Sequence, residues 1–160
     1  MIVAIAIILL VKITFKITKR SAEAKNKIIH AYTLDSTRIT LPLAQPDTTL
    51  VLIFNSECEF CNFEINKLLS EIPTFDQYRI LMLSRQNVNT LKQVFLHLKL
   101  NKYSNIELFK IDQHISEEPF ISASTPSVFI YDTSGNLIIN RKGYSDPREL
   151  INTILNEQKN

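Results

Sequence analysis

Apolar positions along the chain fall into short continuous runs that alternate with stretches of helical spacing. Leu50 to Phe54 is one such run and Arg79 to Leu83 a second, the pattern of strands buried on both faces. Between them Phe60, Ile65, Leu68 and Leu69 recur at helical spacing. That helix, starting near Cys61, is expected to stop by Ile72, because Pro73 disfavours helical geometry in the residue before it. Val88, Leu91, Val94, Phe95 and Leu98 mark a second helix, and Ile106 to Ile111 a third, shorter strand. The order strand, helix, strand, helix, strand implies a mostly parallel core with right-handed crossovers. Upstream, Ile28 to Thr33 and Arg38 to Leu43 read as a hairpin around the turn Leu34-Asp35-Ser36-Thr37. Downstream, Ser127 to Tyr131 reads as a strand, Asp132 to Asn136 as a turn containing Gly135, Leu137 to Arg141 as another strand, and Asp146 to Leu155 as a closing helix.

The first eleven residues, Met1 to Val11, are all apolar, and Ile13, Phe15 and Ile17 extend the run past Lys12 and Lys16. At about 1.5 Å per residue the stretch to Ile17 reaches roughly 25 Å, which spans a bilayer only if the lysines snorkel or the bilayer thins. The expectation is a membrane anchor or signal-like segment over residues 1–20, a linker over 21–27 and a single domain over 28–160. A cleaved signal peptide and an interfacial element are the other readings; no basic residues precede the apolar run. Orientation is in conflict. Lys12, Lys16, Lys19 and Arg20 follow the run and would keep the next domain in the cytoplasm, whereas an extracytoplasmic domain is the expectation set by the resemblance described below.

Composition narrows the function classes. A net charge of +2 and the absence of a basic stripe interleaved with aromatics argue against nucleic acid as a partner, and two glycines, Gly135 and Gly143, leave no phosphate-cradling loop. The chain has two cysteines, Cys58 and Cys61, while His30, His97 and His114 are scattered, so the ligands of a structural zinc site are missing and no metal or organic cofactor is expected.

Those cysteines stand where a buried strand runs into a helix. Unsatisfied N–H groups at a helix N-terminus stabilise a thiolate relative to a thiol, so a dithiol placed there is suited to exchange, Cys58 at the exposed end and Cys61 one turn deeper. Closing so short a loop removes little unfolded-state entropy, which makes a purely structural disulfide a poor use of the pair. Glu57 and Glu59 flank Cys58, and like charge disfavours its ionisation. Glu64, one turn beyond Cys61, is a carboxylate near the dithiol, expected chiefly to lie on the solvated helix face. Pro126 at the first residue of its strand has a plain explanation, since it loses no ladder bond there.

The combination FNSECEFC followed by TPSVFIYDTSGNLIINRKGY resembles the thioredoxin superfamily, and the hairpin before the central strand resembles its TlpA-like branch of membrane-anchored thiol-disulfide oxidoreductases. The resemblance covers about Ile28 to Leu155. It implies an α/β, thioredoxin-like fold: a central mixed sheet flanked by helices, with an N-terminal β-hairpin. It further implies that Cys58 is the nucleophile and Cys61 the resolving thiol, that Pro126 is cis against the dithiol, and that Thr125 offers backbone groups to an extended substrate. The implied partners are a protein disulfide and a second redox protein acting as electron donor. Two departures stand out: Glu57 occupies the place of the family's usual Trp, and Leu52 that of thioredoxin's buried acid. The rival readings are a peroxiredoxin-like peroxidase and a membrane-tethered binding module.

Overall fold

The computed structural model describes residues 27–112, 119–120 and 122–157. The expected anchor and linker therefore lie outside the described residues, apart from Lys27. Among the described residues no helix is long and apolar enough to cross a membrane.

The elements follow the apolar pattern closely. They are β1 (Ile28–Tyr32), β2 (Arg38–Pro42), β3 (Thr49–Ile53), α1 (Glu59–Ser70), β4 (Arg79–Ser84), α2 (Val88–His97), β5 (Ile106–Lys110), β6 (Ser127–Tyr131), β7 (Leu137–Lys142) and α3 (Pro147–Glu157). Among the described residues one sheet holds these seven strands in the order β2-β1-β5-β4-β3-β6-β7. The three strands expected to be parallel are so: β4 pairs with β3 and with β5. The rest of the sheet is antiparallel, because β1 docks on β5 and β6 returns beside β3. The result is the mixed sheet that the resemblance implied, with the parallel pairs confined to β3, β4 and β5.

The first helix ends at Ser70, before Ile72 as expected, and only its start moved. Helix α1 begins at Glu59, two residues before Cys61, because Cys58 adopts extended geometry and caps it. Pro73 does not leave a simple loop but lies in a 3-10 turn, Ile72–Phe75, where its missing N–H is harmless at the first turn. In the turn between β6 and β7, Gly135 takes φ 77°, a left-handed conformation that costs a residue without Cβ nothing.

Strand alternation divides the interior in two. Leu50, Leu52 and Phe54 face Ile65 and Leu68 of α1, Leu91 of α2, and Leu150 and Ile154 of α3, so the three helices share one face. Val51 and Ile53 point the other way, against Phe129, Phe120 and the hairpin residues Ile29 and Leu41. With β3 buried along its whole length, its C-terminal end is a fixed point from which the loop to α1 departs.

Candidate active site

The site sits where β3 ends. Asn55, Ser56 and Glu57 make a tight turn: the Cys58 N–H donates to the Asn55 carbonyl at 3.1 Å and the Glu57 N–H to Asn55 Oδ1 at 2.8 Å. That turn places Cys58 at the N-cap of α1, where its sulfur accepts the Cys61 N–H at 3.4 Å. A sulfur takes here the part a Ser or Asp oxygen usually plays, and the orphan N–H groups of the first turn are directed at it.

The two thiols are thereby made unequal. Cys58 is half-buried and its pKa is lowered, first by its hydrogen bond with Cys61 and further by the Cys61 and Phe60 N–H groups, against a partial desolvation penalty. Cys61 is fully buried, and its pKa is pushed up to about 12, by desolvation first and then by Cys58. Both are free thiols.

Across the site, the Thr125–Pro126 peptide bond is cis. The Cys58 thiol lies 3.8 Å from the Thr125 carbonyl oxygen, so the loop entering β6 faces the exposed sulfur. The Gly143 N–H holds the Pro126 carbonyl at 2.9 Å from the β7 side. Strands β3 and β6 are neighbours, with Ile53 opposite Ser127, which is why residues so distant in sequence meet here.

Glu64 departs from expectation. It is buried, with 2% of its surface exposed, rather than solvated. The reason is helical spacing: Cys61, Glu64, Ile65 and Leu68 form the buried stripe of α1 at positions i, i+3, i+4 and i+7. That stripe was the signal that could have placed it. Burial raises its pKa to about 7; the Ser145 N–H offsets a little of this, but neither carboxyl oxygen has a hydrogen-bond partner among the described residues. Leu50, Leu52, Val128, Pro147 and Leu150 line the same small cavity. Glu64 thus places a buried carboxyl in the cavity that Leu52 also lines.

Glu57 and Glu59 are both exposed, and the lowering of the Cys58 pKa comes from hydrogen bonds rather than from their charges. Phe60 also departs from expectation. Helical spacing groups it with Ile65 and Leu68, yet it lies 68% exposed between the two cysteines, while Phe63 packs against Tyr144 with tilted rings whose centroids are 5.2 Å apart. Starting the helix at Glu59 turns Phe60 outward. Sequence reasoning also passed over Ser56, Arg85 and Gln86, which hydrogen-bond around the site; a polar run directly after a buried parallel strand was the available signal.

No group of His, Cys, Asp and Glu among the described residues is arranged to hold a metal ion. No protein-family model and no curated protein sequence matches the chain. Solved structures do. The exposed lipoprotein thioredoxin of Streptococcus pneumoniae superposes with a TM-score of 0.60 at 16% identity, covering 83% of this chain and 98% of that one. A secreted disulfide oxidoreductase of Mycobacterium tuberculosis gives 0.63 at 15% identity, covering 80% and 95%. A peroxiredoxin-like protein of Aquifex aeolicus gives 0.64 at 12%, covering 81% and 83%. At such identities the likeness concerns the fold, and it joins the mixed sheet, the capping cysteine and the strand order in one conclusion: the chain has the thioredoxin-like fold.

Proposed function

We propose that the chain is a thiol-disulfide oxidoreductase that exchanges disulfides with protein substrates, working as a reductant. The observation that carries the exchange chemistry is the unequal dithiol: a capped, half-buried Cys58 whose thiolate is favoured, beside a buried Cys61 whose thiol is retained. The Cys58 thiolate attacks one sulfur of a substrate disulfide, the substrate S–S bond breaks, and the departing sulfur takes a proton. Cys61 then gives up its proton and attacks Cys58 Sγ, releasing the second substrate thiol and leaving a Cys58–Cys61 disulfide. Two electrons pass to the substrate, and a second redox protein must supply two more to reduce the Cys58–Cys61 disulfide.

Cys61 needs a base to give up that proton. Glu64, one helical turn on and buried, is the candidate, since a carboxyl titrating near 7 can accept a proton at neutral pH and lose it again. Thr125 and Pro126 supply the edge along which an extended substrate segment lies, as the 3.8 Å approach of Cys58 to Thr125 supports.

An insulin-reduction assay tests the reading, with peroxide consumption run beside it. The fold is shared with a peroxiredoxin-like protein, so it does not choose between them; the second thiol three residues on is what favours exchange. Peroxide consumption without insulin reduction would replace the reading by a peroxidase, and neither activity would leave a binding module.

Direction of exchange is tested by equilibrating the dithiol with glutathione buffers. The potential is expected near the thioredoxin value of about −270 mV rather than the oxidant value of about −120 mV. Replacing Glu57 and Glu59 together by Gln should raise it, though only on the order of 10 mV, because exposed charges are worth a few tenths of a kcal/mol. A wild-type potential close to the oxidant value would reverse the assignment to oxidase.

Attachment to a membrane through residues 1–20, with the domain on the extracytoplasmic side, completes the proposal. The full chain is expected to fractionate with membranes, and a chain starting at Ala24 to remain soluble and redox-active. Recovery of the full chain in the soluble fraction would remove the anchor.

A further inference from the structure

The exchange site has two halves that the strand ladder alone does not hold together. β3 and β6 stay in register as far as Ile53 and Ser127. Beyond that pair the chain leaves β3 toward Cys58 on one side and arrives at Pro126 by way of Ala123 and Thr125 on the other. Two consecutive residues at the end of β4 reach both segments.

Gln86 reaches the cysteine turn. Its Oε1 accepts the Ser56 N–H at 2.8 Å and its Nε2 donates to Ser56 Oγ at 2.9 Å, a reciprocal pair on a single residue. The amide orientation is dictated by the Ser56 N–H, which can only donate. Ser84 Oγ steadies the same amide, donating to Oε1 at 3.3 Å, and the Ser56 carbonyl is held by Asn62 Nδ2 at 2.9 Å. Arg85 reaches the other half. Its Nη2 donates to the Phe120 carbonyl at 2.8 Å and its Nη1 to the Ala123 carbonyl at 3.3 Å. One planar fork thus ties two points of the segment that leads into Thr125 and the cis proline.

We infer that Arg85 and Gln86 are positioning residues for the exchange site, Gln86 setting the turn that presents Cys58 to the N–H groups of α1 and Arg85 setting the loop that presents Thr125 and Pro126 to the substrate. The division of labour has a physical basis. A sulfur 3.4 Å from the Cys61 N–H keeps its stabilisation only while that N–H is aimed at it, so a turn free to rock would forfeit part of it. A substrate segment lying along Thr125 requires a loop that is already ordered, since ordering it on binding would cost affinity. Both residues act through others and neither touches a reacting sulfur. Their chemistry rests on the exchange reading.

The experiment uses the full chain and two readouts. The first is the Cys58 pKa, from the pH dependence of iodoacetamide alkylation, which needs no substrate. Gln86→Met is expected to raise it by about one unit, the worth of one hydrogen bond to a thiolate. Ser56→Ala, which keeps the N–H and removes only Oγ, is expected to raise it less, and decides the matter should Gln86→Met not fold. The second readout is the ratio of KM for a peptide disulfide to KM for a small aromatic disulfide that lacks a backbone. Arg85→Met is expected to raise this ratio about tenfold, the factor corresponding to one lost hydrogen bond. Arg85→Lys, keeping the charge but not the fork, should raise it part of the way and is read in place of Arg85→Met if that variant does not fold. Variants that lower the melting temperature while leaving the Cys58 pKa and the KM ratio at their wild-type values would reduce the pair to ordinary scaffolding and overturn the inference. A parent protein that reduces no disulfide would overturn the exchange reading instead, while the alkylation arm would still judge Gln86.

Discussion

Cys58→Ser is expected to bring insulin reduction down to the uncatalysed background, while Cys61→Ser is expected to form a stable mixed disulfide with substrate that fails to turn over. The asymmetry follows from the site. Cys58 is the half-exposed sulfur, capped by the Cys61 N–H at 3.4 Å and favoured as thiolate, so its loss removes the attacking group. Cys61 is fully buried with its pKa pushed up to about 12, so it cannot meet a substrate but can reach the sulfur beside it. Non-reducing gels after incubation with a disulfide-bonded protein make the check. Adducts on Cys58→Ser, or equal activity of the two variants, would mean that the roles of the sulfurs are reversed or shared. The trapped species would also identify the substrate, because the mixed disulfide carries it.

Glu64→Gln is expected to have two effects, one on rate and one on stability. Removing the base for Cys61 should slow resolution of the mixed disulfide by about a hundredfold, the lower end for a positioned general base, and flatten the dependence of that step on pH around 7. The stability effect runs through linkage. The carboxyl titrates near 4.5 when unfolded and about 7 when folded, because burial disfavours its charge. The folded state therefore holds a proton the unfolded state has lost, and the stabilisation is present in full below about 4.5 and disappears as pH rises to about 7. Allowing for solvent screening, the loss is on the order of 2 kcal/mol. Urea denaturation at pH 4.5 and pH 8 checks it: the wild type should lose stability relative to Glu64→Gln over this interval. Parallel curves for the two proteins would show that Glu64 is not buried neutral.

A great deal of this was visible before folding. The apolar runs at Leu50 to Phe54 and Arg79 to Leu83, the helical spacing between them and the place of Cys58 and Cys61 at a strand-to-helix junction depend on period and adjacency, which are local properties of a chain. The turn residues and the Thr-Pro before β6 are local in the same sense, and they were enough to imply the fold by resemblance.

What the chain alone left undecided depends on which side of each element becomes covered. Phe60 and Glu64 lie on the same helix, and by residue type the phenylalanine belongs inside and the glutamate outside. The packing reverses them, because the start of α1 at the Cys58 cap fixes the helix rotation, putting positions 61, 64, 65 and 68 against β3 and α3. Sequence separation hid the rest. The Thr125 carbonyl meets Cys58 only because β6 pairs antiparallel with β3, and Arg85 and Gln86 reach both loops only because β4 ends beside them. By itself the sequence determined the elements, their order and the dithiol at a helix N-terminus, since each follows from neighbours along the chain. Tertiary structure alone decided that the loop before β6 faces the capped thiol, that a carboxyl one helical turn from the other is buried, and that two polar residues span the site, since desolvation and long-range hydrogen bonding are set by neighbours in space.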